Sequence, residues 1–260
     1  MKPQLQVALI QTNLVWENPL QNRLNLNDKL EHLNSGIDLV VLPELFTSGF
    51  TMSPELVAES MEGETIQWLK HWASKKQCAI TGSLVIKEHK VFRNRMVFIK
   101  PNGDLTYYDK RHSFTLAGEH KVYTSGKEKV IVDYKDFKLC LQICYDLRFP
   151  VFSRNQNDYD VLIYVANWPK VRVEAWSALL KARAIENMSY CIGVNRVGLD
   201  ANNHEYSGHS VAFDGLGQSI STISPYKEQV EVVTLQKEAL ETLRTKLNFL
   251  NDADEFKLLN

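Results

Sequence analysis

Apolar and polar positions alternate in short, β-branched runs along most of the chain, and between these runs lie stretches whose apolar residues return every three or four positions. The first pattern predicts strands at 7–11, 37–42, 78–86, 92–100, 130–133, 138–143, 161–165, 190–195, 211–214 and 230–235. The second predicts helices at 22–33, 65–75, 173–187 and 236–246, where Trp68, Leu69 and Trp72, or Leu179, Leu180 and Ala184, share a face. Pro101-Asn102-Gly103-Asp104 and Asp214-Gly215-Leu216-Gly217 offer residues that tolerate positive φ between strand runs, so both are predicted hairpin turns, the first inside an antiparallel meander from 92 to 108. Strands interleaved with helices make an α/β protein, and the inventory suits two sheets with helices outside them. No fixed-period repeat or Pro/Gly/Ser-rich linker divides the chain, so one domain over 1–260 is expected. The tail from about 247 to 260 mixes Asp, Glu and Asn with Phe and Leu and is expected to fray or to pack on a second subunit.

Composition adds that a sizeable core is available, with 44% hydrophobic and 23% charged residues. Lys and Arg number 30 against 31 Asp and Glu, a formal charge of −1, which leaves no global field to attract nucleic acid or an anionic membrane. The first residues lack the apolar run of a secretory leader, and no later run is long and apolar enough to span a bilayer, so a soluble cytoplasmic protein is expected. Cys78, Cys140, Cys144 and Cys191 form no CxxC pair and no Cys/His zinc spacing, which favours free thiols.

Three predicted strand ends carry candidate chemistry. Leu139-Cys140-Leu141-Gln142-Ile143 alternates as a buried strand and runs into Cys144-Tyr145-Asp146-Leu147-Arg148-Phe149-Pro150, a polar turn with a proline suited to a helix start. Cys144 thus falls at a strand-to-helix corner. Such a corner exposes a nucleophile and aims the next backbone N–H, that of Tyr145, at a developing oxyanion; a small core thiol is the plainer alternative. The apolar run 37–42 ends in Pro43-Glu44. A carboxylate at a sheet edge among apolar residues is poorly solvated and ready to take a proton, although a surface loop glutamate would show the same pattern. The run Leu105-Thr106-Tyr107-Tyr108-Asp109 emerges into Lys110-Arg111-His112, where a lysine could hold a glutamate and donate to an oxyanion, or be a solvated charge.

The order of these segments makes the chain resemble the nitrilase superfamily of carbon-nitrogen hydrolases. Leu42-Pro43-Glu44, Tyr108-Asp109-Lys110 and Cys144-Tyr145-Asp146-Leu147-Arg148-Phe149-Pro150 are similar to that family's Glu, Lys and Cys motifs. Leu116-Ala117-Gly118-Glu119, Ala166-Asn167-Trp168-Pro169 and Arg183-Ala184-Ile185-Glu186-Asn187 extend the resemblance, which runs from about residue 7 to about residue 235. It implies a four-layer αββα sandwich of the nitrilase type, a homodimer or higher homo-oligomer, no metal or organic cofactor, and Glu119 as a second site glutamate that orients Lys110. Within the family, Pro43-Glu44-Leu45-Phe46-Thr47-Ser48-Gly49-Phe50 and Lys110-Arg111-His112-Ser113-Phe114 look most like the omega-amidases. That branch implies a small-molecule amide substrate, the terminal amide of a 2-oxo diacid such as 2-oxoglutaramate or 2-oxosuccinamate, with Phe46 and Phe114 among the substrate-binding residues.

The residues support the corresponding chemistry. Glu44 would take the thiol proton, Cys144 attack the amide carbonyl, and Lys110 with the Tyr145 N–H meet the negative oxygen before ammonia leaves and water splits the thioester. Nitrile hydrolysis, carbamoyl-amine hydrolysis, acyl transfer and non-catalytic partner binding on the same fold stay open. Asn167 and Trp168 follow an apolar strand and are expected to line the pocket. Arg172, on the same loop, is expected to fork onto a substrate carboxylate, with a surface role as the alternative, while Arg148 is assigned to holding the corner together. His209 is read as a hydrogen-bonded structural histidine, Cys140 and Cys191 as core thiols, and Trp68 with Trp72 as helix packing.

Overall fold

The computed structural model describes residues 3–258. In chain order its strands are β1 (Gln4–Gln11), β2 (Leu39–Val41), β3 (Ala79–Glu88), β4 (Val91–Ile99), β5 (Leu105–Asp109), β6 (Val130–Tyr134), β7 (Phe137–Ile143), β8 (Val161–Ala166), β9 (Tyr190–Asn195), β10 (Val197–Leu199), β11 (Glu205–Ser207), β12 (Val211–Phe213) and β13 (Gln229–Gln236). The helices are α1 (Pro19–Glu31), α2 (Glu64–Lys76), the single turns α3 (Glu119–Val122) and α4 (Pro150–Ser153), α5 (Val173–Glu186) and α6 (Lys237–Leu247). A six-stranded sheet has the order β13-β1-β2-β3-β4-β5, a five-stranded sheet the order β12-β9-β8-β7-β6, and β10 pairs with β11 alone. At the centre of the sheets, β1, β2 and β3 run parallel, as do β7, β8 and β9, and antiparallel strands flank them. Parallel strands are covered on both faces, which is why β8 is apolar and buried at every position rather than alternating.

Alternate residues of the six-stranded sheet divide between two cores. Ala8, Ile10, Val40, Ile80 and Val97 pack with Leu26 and Leu30 of α1 and Ile66, Leu69 and Ala73 of α2. Val7, Leu9, Leu39, Val41, Met96 and Phe98 join the core shared with the five-stranded sheet, which also takes in Trp176, Leu180 and Ala184 of α5. The result is the expected stack of four layers, αββα. Close approach of α5 to the sheet depends on Gly193, where a Cβ would stand 2.4 Å from Leu180 Cδ1 and 2.7 Å from Trp176 Cζ2.

Several expectations shift in detail. The strand expected at 37–42 contracts to β2 because Pro43 has no N–H to continue the ladder. Asp214 to Gly217 does turn, with the Gly217 N–H donating to Asp214 O (2.9 Å). It leads only to an isolated bridge between Phe213 and Ser219, although Ile220 and Ile223 beyond it still pack against the core. The β10–β11 pair escapes the sequence pattern because three-residue strands are too short to show a period. Trp68 and Trp72 are helix packing, as expected: both indole N–H groups donate to Asn27 Oδ1 (2.7 and 2.9 Å), tying α2 to α1. In the tail, Leu250 is buried and Phe256 O accepts from Gln156 Nε2 (3.4 Å). Its last residues, 259 and 260, lie outside the described residues, as do residues 1 and 2 at the other end. No helix among the described residues is long and apolar enough to cross a membrane. All four cysteines are free and buried.

Candidate active site

The carboxyl ends of β2, β7 and β8 and the end of β5 converge, the position at which α/β sheets leave room for a ligand. Behind Pro43 the chain turns sharply, with Leu45 at φ +43°, and the turn is pinned to β3 by the Leu45 N–H on Ser83 Oγ (2.8 Å) and the Phe46 N–H on Ser83 O (3.0 Å). This brings Glu44, fully buried, beside Lys110. Glu44 Oε1 accepts from Lys110 Nζ (2.9 Å) and Asn94 Nδ2 (2.8 Å), and Oε2 accepts from the Asn167 N–H (2.8 Å). The Asn167 side chain returns to donate to Glu44 O (2.6 Å).

Lys110 follows β5, and its ammonium also donates to both oxygens of Glu119, at 2.9 and 3.0 Å. All three of its N–H bonds are therefore used. Burial alone would pull the Lys110 ammonium down, but the charges of Glu119 and Glu44 override it and hold the group well above the ordinary lysine value. Burial pushes the Glu119 carboxyl up, against the pull of Lys110 and with the repulsion of Glu44. Two carboxylates thus share one ammonium, all three side chains being buried.

Cys144 sits at the end of β7 with φ +44°, a left-handed conformation that is strained for a non-glycine residue. Its thiol is driven well above the usual range, first by burial and next by the Glu44 charge, with Lys110 pulling the other way and a hydrogen bond to Glu44 adding to the rise. The resting group is a thiol poised against a base, not a free thiolate.

A cavity of about 360 Å³ opens onto Lys110 and Cys144. Phe50, Met52, Phe114 and Leu116 give it apolar lining, together with Tyr145 and Trp168. Two cations stand over this aromatic lining: Arg148 over the Trp168 ring at 4.9 Å and Arg172 over the Phe114 ring at 5.2 Å. Among the described residues neither guanidinium has a carboxylate partner. Asp200 also lines the cavity but is already engaged: Oδ1 accepts from the Asn202 and His204 N–H groups, and Oδ2 from the Tyr206 hydroxyl, with His204 Nδ1 at 3.2 Å.

Of the residues expected from sequence, Glu44, Lys110, Glu119 and Cys144 meet, and Tyr145, Phe114, Asn167, Trp168 and Arg172 line the same cavity. Phe46 does not. The turn at Leu45 sends its side chain into the helix-side core, where its ring lies 6.1 Å from that of Trp68 and close over Gly82. Arg148 does not hold the corner either; it is exposed in the cavity. The corner is braced instead by Asp146, whose Oδ2 accepts the Ile143 N–H (2.9 Å), and by Arg183, which donates to Leu147 O (2.6 Å). His209 contributes its carbonyl, which accepts from Trp176 Nε1 (2.8 Å), while its Nδ1 is buried with no partner among the described residues. Cys140 and Cys191 are core thiols, as expected. Sequence reasoning missed Asn94, which sits mid-strand among alternating residues, and the stretch from Asp200 to Tyr206, which has the composition of an ordinary polar loop.

Residues 6–245 match the family model of carbon-nitrogen hydrolases. The chain is 42% identical to the omega-amidase YafV of Yersinia enterocolitica over 98% of its own length and 99% of the relative's. It is 32% identical to the 2-oxoglutaramate amidase of Bacillus subtilis over 83% of this chain and 85% of that one. A CN-hydrolase superfamily protein of Xanthomonas campestris, solved with an arsenic adduct in its active site, superimposes with a TM-score of 0.96 at 41% identity, over 98% of this chain and 99% of that one.

Proposed function

Because this chain belongs to the carbon-nitrogen hydrolase family, we propose that it is an omega-amidase that hydrolyses the terminal amide of small 2-oxo dicarboxylic acid monoamides, 2-oxoglutaramate and 2-oxosuccinamate, to the diacid and ammonia. The observation that carries this reading is a buried Glu44, Lys110 and Glu119 cluster beside the Cys144 thiol, in a cavity that also holds two guanidinium groups with no carboxylate partner among the described residues. Glu44 takes the thiol proton as sulfur attacks the amide carbon, and the carbonyl electrons pass to oxygen. That oxygen is met by the Tyr145 N–H and by Lys110. Since every Lys110 N–H is occupied at rest, the ammonium loosens one of its two bonds to Glu119 to donate, and the other keeps it in place. The proton held by Glu44 passes to nitrogen as the C–N bond breaks. Water then gives its proton to Glu44 and its oxygen to the thioester, which releases the acid and restores the thiol.

The far end of such a substrate is a carboxylate. Arg172 is the assigned partner, because a planar fork of donors matches a carboxylate better than a point charge, and Arg148 stands across the same cavity as a second cation. Among the described residues the cavity offers no free carboxylate to hold a 2-ammonium group, which favours the oxo acid over the amino acid amide. The whole chain acts as one domain, its last strand β13 closing beside β1. It acts as a homodimer or higher homo-oligomer, with the exposed Ile185 of α5 and the adjoining turn at Leu216 as an apolar patch for a second copy.

Ammonia release from 2-oxoglutaramate and from a neutral amide of equal length, measured for the parent, Arg172→Ala and Arg172→Lys, tests the assignment. A selective loss with the anionic amide of about 10-fold or more, only partly restored by lysine, is expected. Equal rates for both amides in the parent would overturn the substrate class, and unchanged discrimination in the variants would remove Arg172 from recognition.

A further inference from the structure

The Asp146 carboxylate is fully buried, and donors from two different catalytic loops fill both of its oxygens. Oδ2 accepts from the N–H of Ile143 (2.9 Å), the residue before the nucleophile, and from the hydroxyl of Tyr108 (2.7 Å). Oδ1 accepts from the N–H of His112 (3.0 Å) and lies 2.7 Å from His112 Nδ1. Tyr108 and His112 are the residues two before and two after Lys110, and Asp146 itself is two after Cys144. The Tyr108 hydroxyl accepts in turn from the Arg111 N–H (3.1 Å), and the His112 ring lies flat on Phe149 of the nucleophile turn, with centroids 3.8 Å apart and planes 6° from parallel.

This arrangement exceeds what a turn cap requires. A cap would need one bond, from Asp146 to the Ile143 N–H; the other three bridge the five-stranded sheet, which presents the thiol, to the six-stranded sheet, which presents the ammonium. In this region the two sheets are also joined by the Asn167 bonds to Glu44 (2.8 and 2.6 Å), which link β8 to β2 but reach neither Cys144 nor the Lys110 loop's own backbone, and by apolar packing, which resists separation but tolerates sliding. We propose that Asp146 is a positioning residue that fixes the Cys144 turn against the Lys110 loop, so that the nucleophile and the cation that meets the oxyanion keep a constant separation. The strained φ of Cys144 persists because this carboxylate over-determines the turn. Acting through Tyr108 and His112, it touches neither substrate nor the reacting atoms.

The proposal rests on the reading of Cys144 and Lys110 as reacting groups, and the test separates the two. Asp146→Asn conserves shape but turns an NH2 group toward donors that now face one another. Displacing a reacting group by about 1 Å costs on the order of 100-fold in rate, so kcat of Asp146→Asn on 2-oxoglutaramate is expected to fall by about that factor with KM within about three-fold. Inactivation by iodoacetamide at Cys144 is expected to slow by about 10-fold, because Glu44 no longer addresses the thiol correctly. Tyr108→Phe removes one of the four donors and is expected to lower kcat by about 10-fold, yet by less than about two-fold when added to Asp146→Asn, since the shared contact is already gone. Asp160→Asn, at a charged cluster on the opposite end of β8, serves as a destabilised control. A folded Asp146→Asn enzyme with kcat within three-fold of the parent, or a loss equal to that of the control at matched melting temperature, overturns the proposal. If Asp146→Asn does not fold, Tyr108→Phe decides alone: unchanged kcat and alkylation overturn it. Failure of Cys144→Ala to lose activity would sink the reading beneath it instead.

Discussion

At the amino ends of β7 and β8, Asp160 lies between Lys237 and Arg244; at the carboxyl ends, Lys110 lies between Glu44 and Glu119. The first cluster accepts Lys237 Nζ (2.5 Å) and the Lys138 N–H (2.9 Å) on Asp160 Oδ2 and Arg244 Nη1 (3.0 Å) on Oδ1. Arg244 also donates to Met188 O and Tyr159 O, each at 2.8 Å, so α6 is fastened to the sheet. Its side chains keep some contact with water, 18% for Lys237 and 21% for Arg244, which lowers the cost of holding charge there. The second cluster is sealed to 3% or less, carries one more anion than cation, and abuts a thiol whose proton is held tightly. One arrangement is at rest; the other, in the proposed mechanism, moves a proton when a carbonyl arrives. Opposite ends of the same strands differ because only at the carboxyl ends do the following loops of both sheets diverge to leave a cavity.

The sharpest way to break this contrast is at the proposed nucleophile. Cys144→Ala is expected to abolish turnover, by about 10⁴-fold or more, while its melting temperature stays near the parent's, because one small buried side chain replaces another. Ammonia release near the parental rate would place the chemistry elsewhere.

Next come the two central charges. Lys110→Met is expected to lower kcat by at least about 100-fold and to destabilise the fold by about 3–5 kcal/mol, since it leaves two buried carboxylates facing each other. Asp160→Asn is expected to destabilise by about 1–3 kcal/mol through weakened hydrogen bonds to Lys237 and Arg244, with kcat/KM within about three-fold. Chemical denaturation beside steady-state rates reads both, and a large kinetic defect in Asp160→Asn would erase the distinction between the two ends.

The smallest effect is in pH. The Lys110 value is raised in the folded state, so its stabilising contribution is fully present below the unfolded lysine value of about 10.4 and is lost as pH climbs through the higher folded value. The stability gap between the parent and Lys110→Met should therefore hold steady from pH 8 to 10 and narrow above about 10.4. A gap that narrows already below pH 9 would mean that Lys110 is not held as an ammonium by its two glutamates.

Much of the site was legible because its groups fall at places the chain marks locally. Glu44 follows a proline that must end a strand, Cys144 follows an alternating run that must be buried, and Lys110 follows a strand of aromatic residues. Glu119 carries no local mark and was reached only through the family resemblance. Phe46 misled because the face its side chain takes is set by the turn at Leu45, whose positive φ no local pattern marks, and that turn buries it beside Trp68. Arg148 was misplaced for a similar reason: it and Asp146 both lie in the corner, and only the partners supplied by Tyr108 and His112 reveal that Asp146 braces it.

By itself the sequence determined the alternation of strands and helices and the three strand-end residues, which follow from periodicities of two and about 3.6 and from turn chemistry within a few residues. The tertiary structure alone decided which polar groups share a proton or a charge. Glu44 meets Lys110 across 66 positions and Asn167 across 123, and contacts at such separations are set by how two sheets stack, a sum over many apolar contacts that no local window contains.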